Sequence, residues 1–242
     1  MFKKIKNMTL TELKKTWVDT PEYHKHIHEL FIDKAKGTYL AEHRDWVRDH
    51  VFGFGEDSFP YMWELLCKEM PEEFVFCEIG CFKFQTVTLI KLIADHLGKQ
   101  VRRVCVTPMD SSGGMWDEDY FQHAQTIHNQ FKIPFDCDLL QGKSQEAFIV
   151  GGARECSPFD LLYIDGDHSL EGALFDLTAY GEMVKVGGYL VLDDAGCDLH
   201  QEFGVFQGIR PVTDAMDMWL SQTDQWEFQF SVVHIMVFKR VK

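Results

Sequence analysis

From residue 71 onward the chain alternates between two kinds of apolar pattern. Short, nearly continuous apolar runs appear at FVFCEI (74–79), RRVCVT (102–107), DCDLLQ (136–141), LLYI (161–164) and GYLVL (188–192). Between them lie longer segments with apolar residues at helical spacing: TVTLIKLIADHL, DYFQHAQTIHNQF, SQEAFIV and LEGALFDLTAYGEMV. Continuous runs bounded by turn residues are the pattern of strands buried on both faces, and strand–helix repetition produces right-handed βαβ units. The expected fold class is therefore α/β, a Rossmann-like doubly wound and mostly parallel sheet with helices on both faces. The tail departs from this alternation. VTDAMDMWL reads as a helix, and WEFQFSV and HIMVFKR read as two strands joined by a short turn, an antiparallel hairpin finishing the sheet.

Residues 1–70 show no such alternation. TLTELKKTW opens with Thr9 and carries Glu12 three positions later, the capping-box spacing, and SFPYMWELLCKEM opens with Ser58 and bears an apolar helical stripe. The expectation is an N-terminal helical extension or lid (1–70) packed on a sheet domain (71–242), with FGFGEDS as a loop between its helices.

Composition narrows the partners. A net charge of -14 among 242 residues argues against nucleic acid and against anionic membranes, both of which need a surplus of Lys and Arg. The start, MFKKIKNMTLTELKKTW, lacks an uninterrupted apolar core, and no stretch is long enough to span a bilayer, so a soluble cytoplasmic protein is expected. The seven cysteines are scattered without a Cys-x-x-Cys pair and read as small buried apolar residues of a reducing compartment.

In open parallel sheets, ligands bind beyond the carboxyl ends of the strands. The first strand ends in Glu78-Ile79-Gly80-Cys81-Phe82-Lys83-Phe84-Gln85-Thr86. Gly80 lets backbone N–H groups approach a ligand, and the helix that follows favours an anionic group; the same residues also make an ordinary strand-to-helix turn. The fourth strand delivers Asp165 and the fifth Asp193 and Asp194. If these strands are neighbours, about 4.8 Å apart, three carboxylates converge and require raised pKa values or a hard cation such as Mg²⁺, with Mn²⁺ or Ca²⁺ as alternatives. His168 could then take a proton from a hydroxyl acidified by the ion, with Asp167 as the other candidate base; equally, His168 could cap the next helix or orient Asp165. Asp165 and Asp167 also spell D-x-D, with which nucleotide-sugar transferases hold a metal. His24, His26 and His28 lie close in sequence and helical spacing puts His24 and His28 on one face, but with no third ligand in view they read as a solvated helix face.

Taken together, EIGCFKFQT, GKS (142–144), YIDGDHSLEG, VKVGGYLVLDD and the terminal hairpin resemble a class I S-adenosylmethionine-dependent methyltransferase. Within that class the chain is similar to the metal-dependent macrocin-type sugar O-methyltransferases and the cephalosporin hydroxylase-related group. The resemblance implies a seven-stranded sheet with an antiparallel last strand. It places S-adenosylmethionine against Glu78, Gly80, Cys81, Lys83 and Thr86, with Thr107, Ser144 and Asp165 completing the cofactor site. It also gives Mg²⁺ or another divalent cation to Asp165, Asp193 and Asp194, and makes His168 the base. The acceptor would be a small-molecule hydroxyl, a sugar or another vicinal diol, with Trp46, Phe54 or Trp63 walling the site. Two positions depart from the pattern. Phe84 stands where a third glycine is usual, and Thr107, with Asp110 three residues on, stands where an acid commonly binds the ribose. These departures keep a non-catalytic binding protein with the same fold among the alternatives. The extra helices and exposed aromatic residues also suit a homo-oligomer.

Overall fold

A computed structural model describes residues 8–109 and 120–242. Asp110 lies outside the described residues. Seven strands form one sheet in the order β3-β2-β1-β4-β5-β7-β6. They are β1 (Glu73–Ile79), β2 (Gln100–Thr107), β3 (Asp138–Gln141), β4 (Phe159–Ile164), β5 (Val184–Leu192), β6 (Trp226–Val232) and β7 (Ile235–Arg240). β1 through β5 pair in parallel, and β7 runs antiparallel to both β5 and β6. The expected fold class and terminal hairpin are both present.

The alternating side chains of the strands divide the core in two. Phe76, Tyr163 and Val191 face one side of the sheet, where α4 (Phe59–Glu69), α5 (Gln85–His96) and α6 (Tyr120–Gln130) cover them together with α1 (Leu10–Thr16), α2 (Pro21–Ala35) and α3 (Tyr39–Asp49). Cys77, Ile79, Leu162 and Ile164 face the other side, under α7 (Ala147–Cys156), α8 (Leu170–Gly181) and α9 (Arg210–Leu220). The N-terminal helices share the first core: Trp63 of α4 meets Phe76 and Tyr163 edge-on, and the Trp17 indole donates to Ser231 Oγ of β6 at 3.1 Å.

Thr9 caps α1 as its spacing predicts, accepting from the Glu12 N–H while Glu12 Oε2 accepts from the Thr9 N–H. Ser58 does not cap α4. Its backbone is already helical, and its buried Oγ instead lies 3.1 Å from His28 Nδ1.

Strand order reverses between β1 and β4, and the register Ile79↔Ile164 and Ile164↔Leu192 brings three strand ends level. Gly80, Asp165 and Asp193 therefore leave the sheet side by side at the topological switch point.

Candidate active site

Two cavities meet at this edge. The first, of about 550 Å³, is lined by Gly80, Phe82, Thr107, Gly142, Ser144, Gln145 and the 165–169 loop. Gly80 has φ +94, and a Cβ there would lie 1.8 Å from the Asp165 carbonyl oxygen, so only glycine lets β1 and β4 diverge this closely. Gly80 N–H is held by Val106 O at 2.9 Å and Asp165 N–H by Ile79 O at 2.8 Å, which fixes the floor on both sides.

Of the residues expected to hold the cofactor, Gly80, Thr107, Ser144 and Asp165 line this cavity. Glu78 and Cys81 are buried beneath the turn, with the Cys81 thiol directed at the Glu78 carbonyl oxygen at 3.3 Å. Burial, and then the neighbouring Asp165, push the Glu78 carboxyl well above its ordinary range. Lys83 reaches sideways to Val51 O at 3.2 Å, and Thr86 faces the second cavity.

Phe84 takes a left-handed backbone, φ 61 and ψ 23, the conformation a glycine supplies most easily. Its fully buried ring turns away from the cavity and packs against Phe135 and His128 at centroid distances of 5.6 and 6.0 Å. The departure from the glycine pattern therefore costs the cavity no volume. Phe84→Leu is expected to lower stability by about 1–2 kcal/mol through lost packing, measured by denaturant titration, with unchanged affinity for S-adenosylmethionine. A changed affinity would mean that the ring reaches the ligand.

The acids converge as expected. From β4, Tyr163 donates its hydroxyl to Asp193 Oδ2 at 2.6 Å, and the same oxygen lies 3.3 Å from Asp165 Oδ2. His168 Nε2 lies 3.3 Å from Asp165 Oδ1 and 3.5 Å from Asp194 Oδ2. A residue missed by the sequence reading joins them: His234, in the turn between β6 and β7, places Nε2 3.2 Å from Asp193 Oδ1 and 3.8 Å from Asp194 Oδ1. The apolar run HIMVFKR places His234 at the start of the last strand, whereas that strand begins one residue later, at Ile235.

Electrostatics separate the three carboxyls. Burial, then Asp193, push Asp165 up to about 7, and burial and Asp193 likewise raise Asp194. Burial opposes ionisation of Asp193 too, but hydrogen bonds from His234 and Tyr163 outweigh it and hold that carboxyl below its ordinary value. The hydrogen bond to Asp165 pushes His168 up to about 9. Two overlapping groups, Asp165 with His168 and Asp194 and Asp193 with Asp194 and His234, each bring three donor atoms within 4.8 Å of one another, and each mix of carboxylate and imidazole fits a divalent cation.

Asp167 does not join this group. Its Oδ1 accepts from Ser169 N–H at 2.9 Å, turning it towards the start of α8 and the first cavity, so the D-x-D acids do not converge. Ser169, not His168, caps α8. His24 pairs with Asp19 at 2.8 Å and His28 with Ser58, so the early histidines form no shared ligand set.

The second cavity, of about 480 Å³, lies over the acids. Its walls are Phe54, Phe59, Trp63, Phe82 and Phe206. Phe54 and Trp63 are thus wall residues as expected, whereas Trp46 packs against Phe52 and His50. Arg44 borders this cavity, but its guanidinium is committed to Asp57 and to the carbonyls of Phe54 and Gly55.

Below the first cavity, Asp176 of α8 is fully buried, and neither carboxyl oxygen has a hydrogen-bond partner. Burial pushes it up to about 7, with the nearby Ser144 hydroxyl offsetting part of the rise from 3.8. The folded chain keeps a proton that the unfolded chain releases, so this group's stabilisation is present at acid pH and lost as pH rises through about 7. Asp176→Asn is expected to raise stability by about 2 kcal/mol above that pH and to leave it unchanged near the unfolded value. Thermal melts at the two pH values check this; a destabilised variant at high pH would show that the carboxylate is needed in its charged form.

Comparisons with known proteins agree with this architecture. Residues 77–195 match a family described as a methyltransferase domain. No curated protein matches the sequence. Among solved structures, the chain is similar to a Staphylococcus aureus protein provisionally named a caffeoyl-CoA O-methyltransferase, with TM-score 0.61 and 13% identity over 90% of this chain and 99% of that one. The O-methyltransferase TomG of Streptomyces achromogenes, solved with S-adenosylmethionine, gives 0.55 and 12% over 90% of this chain and 99% of the other. The MycE methyltransferase of mycinamycin biosynthesis, solved with Mg, S-adenosylhomocysteine and mycinamycin VI, gives 0.56 and 14% over 86% of this chain and 56% of that one. Residues 77–195 thus match a methyltransferase-domain family, and the chain shares its fold with solved O-methyltransferases.

Proposed function

We propose that the protein transfers a methyl group from S-adenosylmethionine to a hydroxyl of a small vicinal diol, with a divalent cation at Asp165, Asp193 and Asp194. The observation that carries this reading is the junction of the two cavities. Asp165, His168, Phe54 and Phe82 line both, so a ligand in one would meet a ligand in the other at the acid cluster. The cofactor supplies an activated methyl group, and the cation lowers the acceptor's hydroxyl pKa.

The chain's own residues supply the rest. Gly80 and the Thr107, Ser144 and Gln145 backbone region shape the first cavity, whose volume suits a ligand of nucleoside size. His168 Nε2 takes the acceptor proton once its carboxylate partners are engaged elsewhere. Phe54 and Phe82 stack at 5.7 Å across the junction and keep water from the reacting atoms.

The wall of the second cavity favours a flat aromatic diol over a sugar. Six aromatic side chains line it, Phe54, Phe59, Trp63, Phe82, Tyr163 and Phe206, and of the polar groups at its rim Arg44 and the Gln85 amide are spent on loop carbonyls and Asp57. Sugar hydroxyls set against these rings would lack partners, each costing about 1–3 kcal/mol. The Asp167 geometry gives no support to a D-x-D transferase, and the intact acid cluster disfavours a non-catalytic binding protein.

Calorimetric titration with S-adenosylmethionine, with and without Mg²⁺, tests the reading on the native chain and on Asp193→Ala, followed by a methyl-transfer assay with catechol. Cofactor binding that persists in the variant while transfer is lost is the expected result. Absence of cofactor binding to the native chain under every condition would sink it.

A further inference from the structure

We infer that His234 is a metal ligand, forming with Asp193 and Asp194 a nitrogen-containing site that prefers a transition ion such as Zn²⁺, Fe²⁺ or Co²⁺ to Mg²⁺. This rests on the divalent-cation reading above and changes which ion that reading admits.

His234 Nδ1 lies 3.3 Å from the Phe206 carbonyl oxygen, an acceptor only, so Nδ1 carries the hydrogen and donates it. In the neutral ring, Nε2 then presents a lone pair to Asp193 Oδ1 at 3.2 Å and Asp194 Oδ1 at 3.8 Å. Three acceptors facing one another repel unless a cation sits among them. In the metal-free chain a proton on Nε2 meets that need, and a metal ion meets it with all three at once. Ligand atoms about 2.1 Å from an ion stand about 3.0 Å apart in octahedral and about 3.4 Å apart in tetrahedral geometry, close to the separations present. A ligating histidine whose remote N–H is tied to a backbone carbonyl is the usual arrangement at metal centres, because the tie fixes both tautomer and ring orientation.

The surroundings hold His234 in that pose. Its side chain is 6% exposed, and the rings of Phe59 and Phe206 meet it edge-on, each at 5.1 Å. Asp193 is held by the Tyr163 hydroxyl on Oδ2 and by the Asp194 N–H on Oδ1, the oxygen that faces His234. His168 differs: it is 42% exposed, lies towards Asp165 and lines the cofactor cavity as well, the position of a proton acceptor rather than a structural ligand. The two imidazoles thus divide the labour around Asp194. Imidazole nitrogen suits Zn²⁺, Fe²⁺ and Ni²⁺, whereas Mg²⁺ binds oxygen almost exclusively.

The test uses the whole chain without cofactor or acceptor. Calorimetry with Co²⁺ and with Mg²⁺ is expected to show Co²⁺ bound at least about tenfold more tightly, and His234→Gln to lose about tenfold in Co²⁺ affinity while changing Mg²⁺ affinity little. Pulsed electron paramagnetic resonance on the Mn²⁺-loaded protein is expected to show nitrogen coupling that disappears in His234→Gln and persists in His168→Gln. His234→Asn, a second variant, guards against collapse of the hairpin turn. Coupling that survives in both His234 variants, or that vanishes only in His168→Gln, overturns the inference while leaving the cation reading intact. Ion binding with no nitrogen coupling at all does the same, and failure of the native chain to bind any divalent ion overturns both.

Discussion

Gly80→Ala is expected to lose S-adenosylmethionine binding by about 100-fold or more, equivalent to about 3 kcal/mol, and to unfold at a visibly lower temperature. The added methyl would lie 1.8 Å from Asp165 O and 2.5 Å from Asp165 C, backbone atoms that cannot rotate aside. The β1 and β4 ends would have to part, and with them the floor of the first cavity and the carboxylate of Asp165. Conformational strain adds to this, since φ +94 is a region that side-chain-bearing residues avoid at a cost of about 1–3 kcal/mol. Gly98→Ala separates the two effects. Gly98 also has positive φ, +71, but a Cβ there meets nothing within 4 Å. That variant is expected to lose about 1 kcal/mol of stability and no cofactor affinity. Equal behaviour of the two variants in calorimetry would show that the close approach of β1 to β4 does not shape the cofactor site.

The sheet was legible because a strand buried on both faces must be apolar almost throughout, and the runs ending at Ile79, Thr107, Ile164 and Leu192 satisfy that. The acid cluster was legible for a related reason. Asp165 and Asp193 each follow such a run directly, and doubly wound order makes the two strands neighbours, as the pairing Ile164↔Leu192 bears out. His234 was not legible because its place depends on the antiparallel register of β7 against β5 and on where a two-residue turn falls. The pairing Leu192↔Met236, continued outward, sets His234 beside Asp194, and the hydrogen bond from Ala195 N to His234 O at 3.0 Å closes that ladder. Placing the turn at Val233-His234 instead of ahead of His234 would have exposed it. Val233 gives little signal for such a turn, since β-branched residues rarely adopt its φ of 52. Phe84 misleads in the opposite direction. Its size implies a blocked cavity, but the left-handed backbone that normally calls for glycine aims its ring into the core under α6.

His168→Ala is expected to lower kcat by about 100- to 10,000-fold, the range for loss of a general base, with cofactor affinity little changed and the fold retained. Loss of proton transfer is the reason to expect so large an effect from a side chain that is 42% exposed and buries little surface. The protonation of His168 gives the sharper test. In the chain without metal, hydrogen bonding to Asp165, followed by the charges of Asp165, Asp194 and Asp193, pushes it up to about 9. The imidazole is then charged at neutral pH and cannot accept a proton. Its contribution to stability is fully present below the unfolded value of 6.5 and is lost as pH rises through about 9. A divalent cation among the same carboxylates reverses that support by drawing their charge to itself and adding its own positive charge beside the ring. On the proposed reading the His168 pKa is therefore expected to fall when an ion binds, which would turn the residue from a stabilising cation into a base. Nuclear magnetic resonance titration of the His168 ring protons, assigned against His168→Ala, is expected to show an alkaline midpoint without ion and one moved by a unit or more to lower pH with saturating Mg²⁺ or Co²⁺. A midpoint that stays put when ion binding is proven would remove His168 from the role of base, and activity that survives His168→Ala would remove it outright.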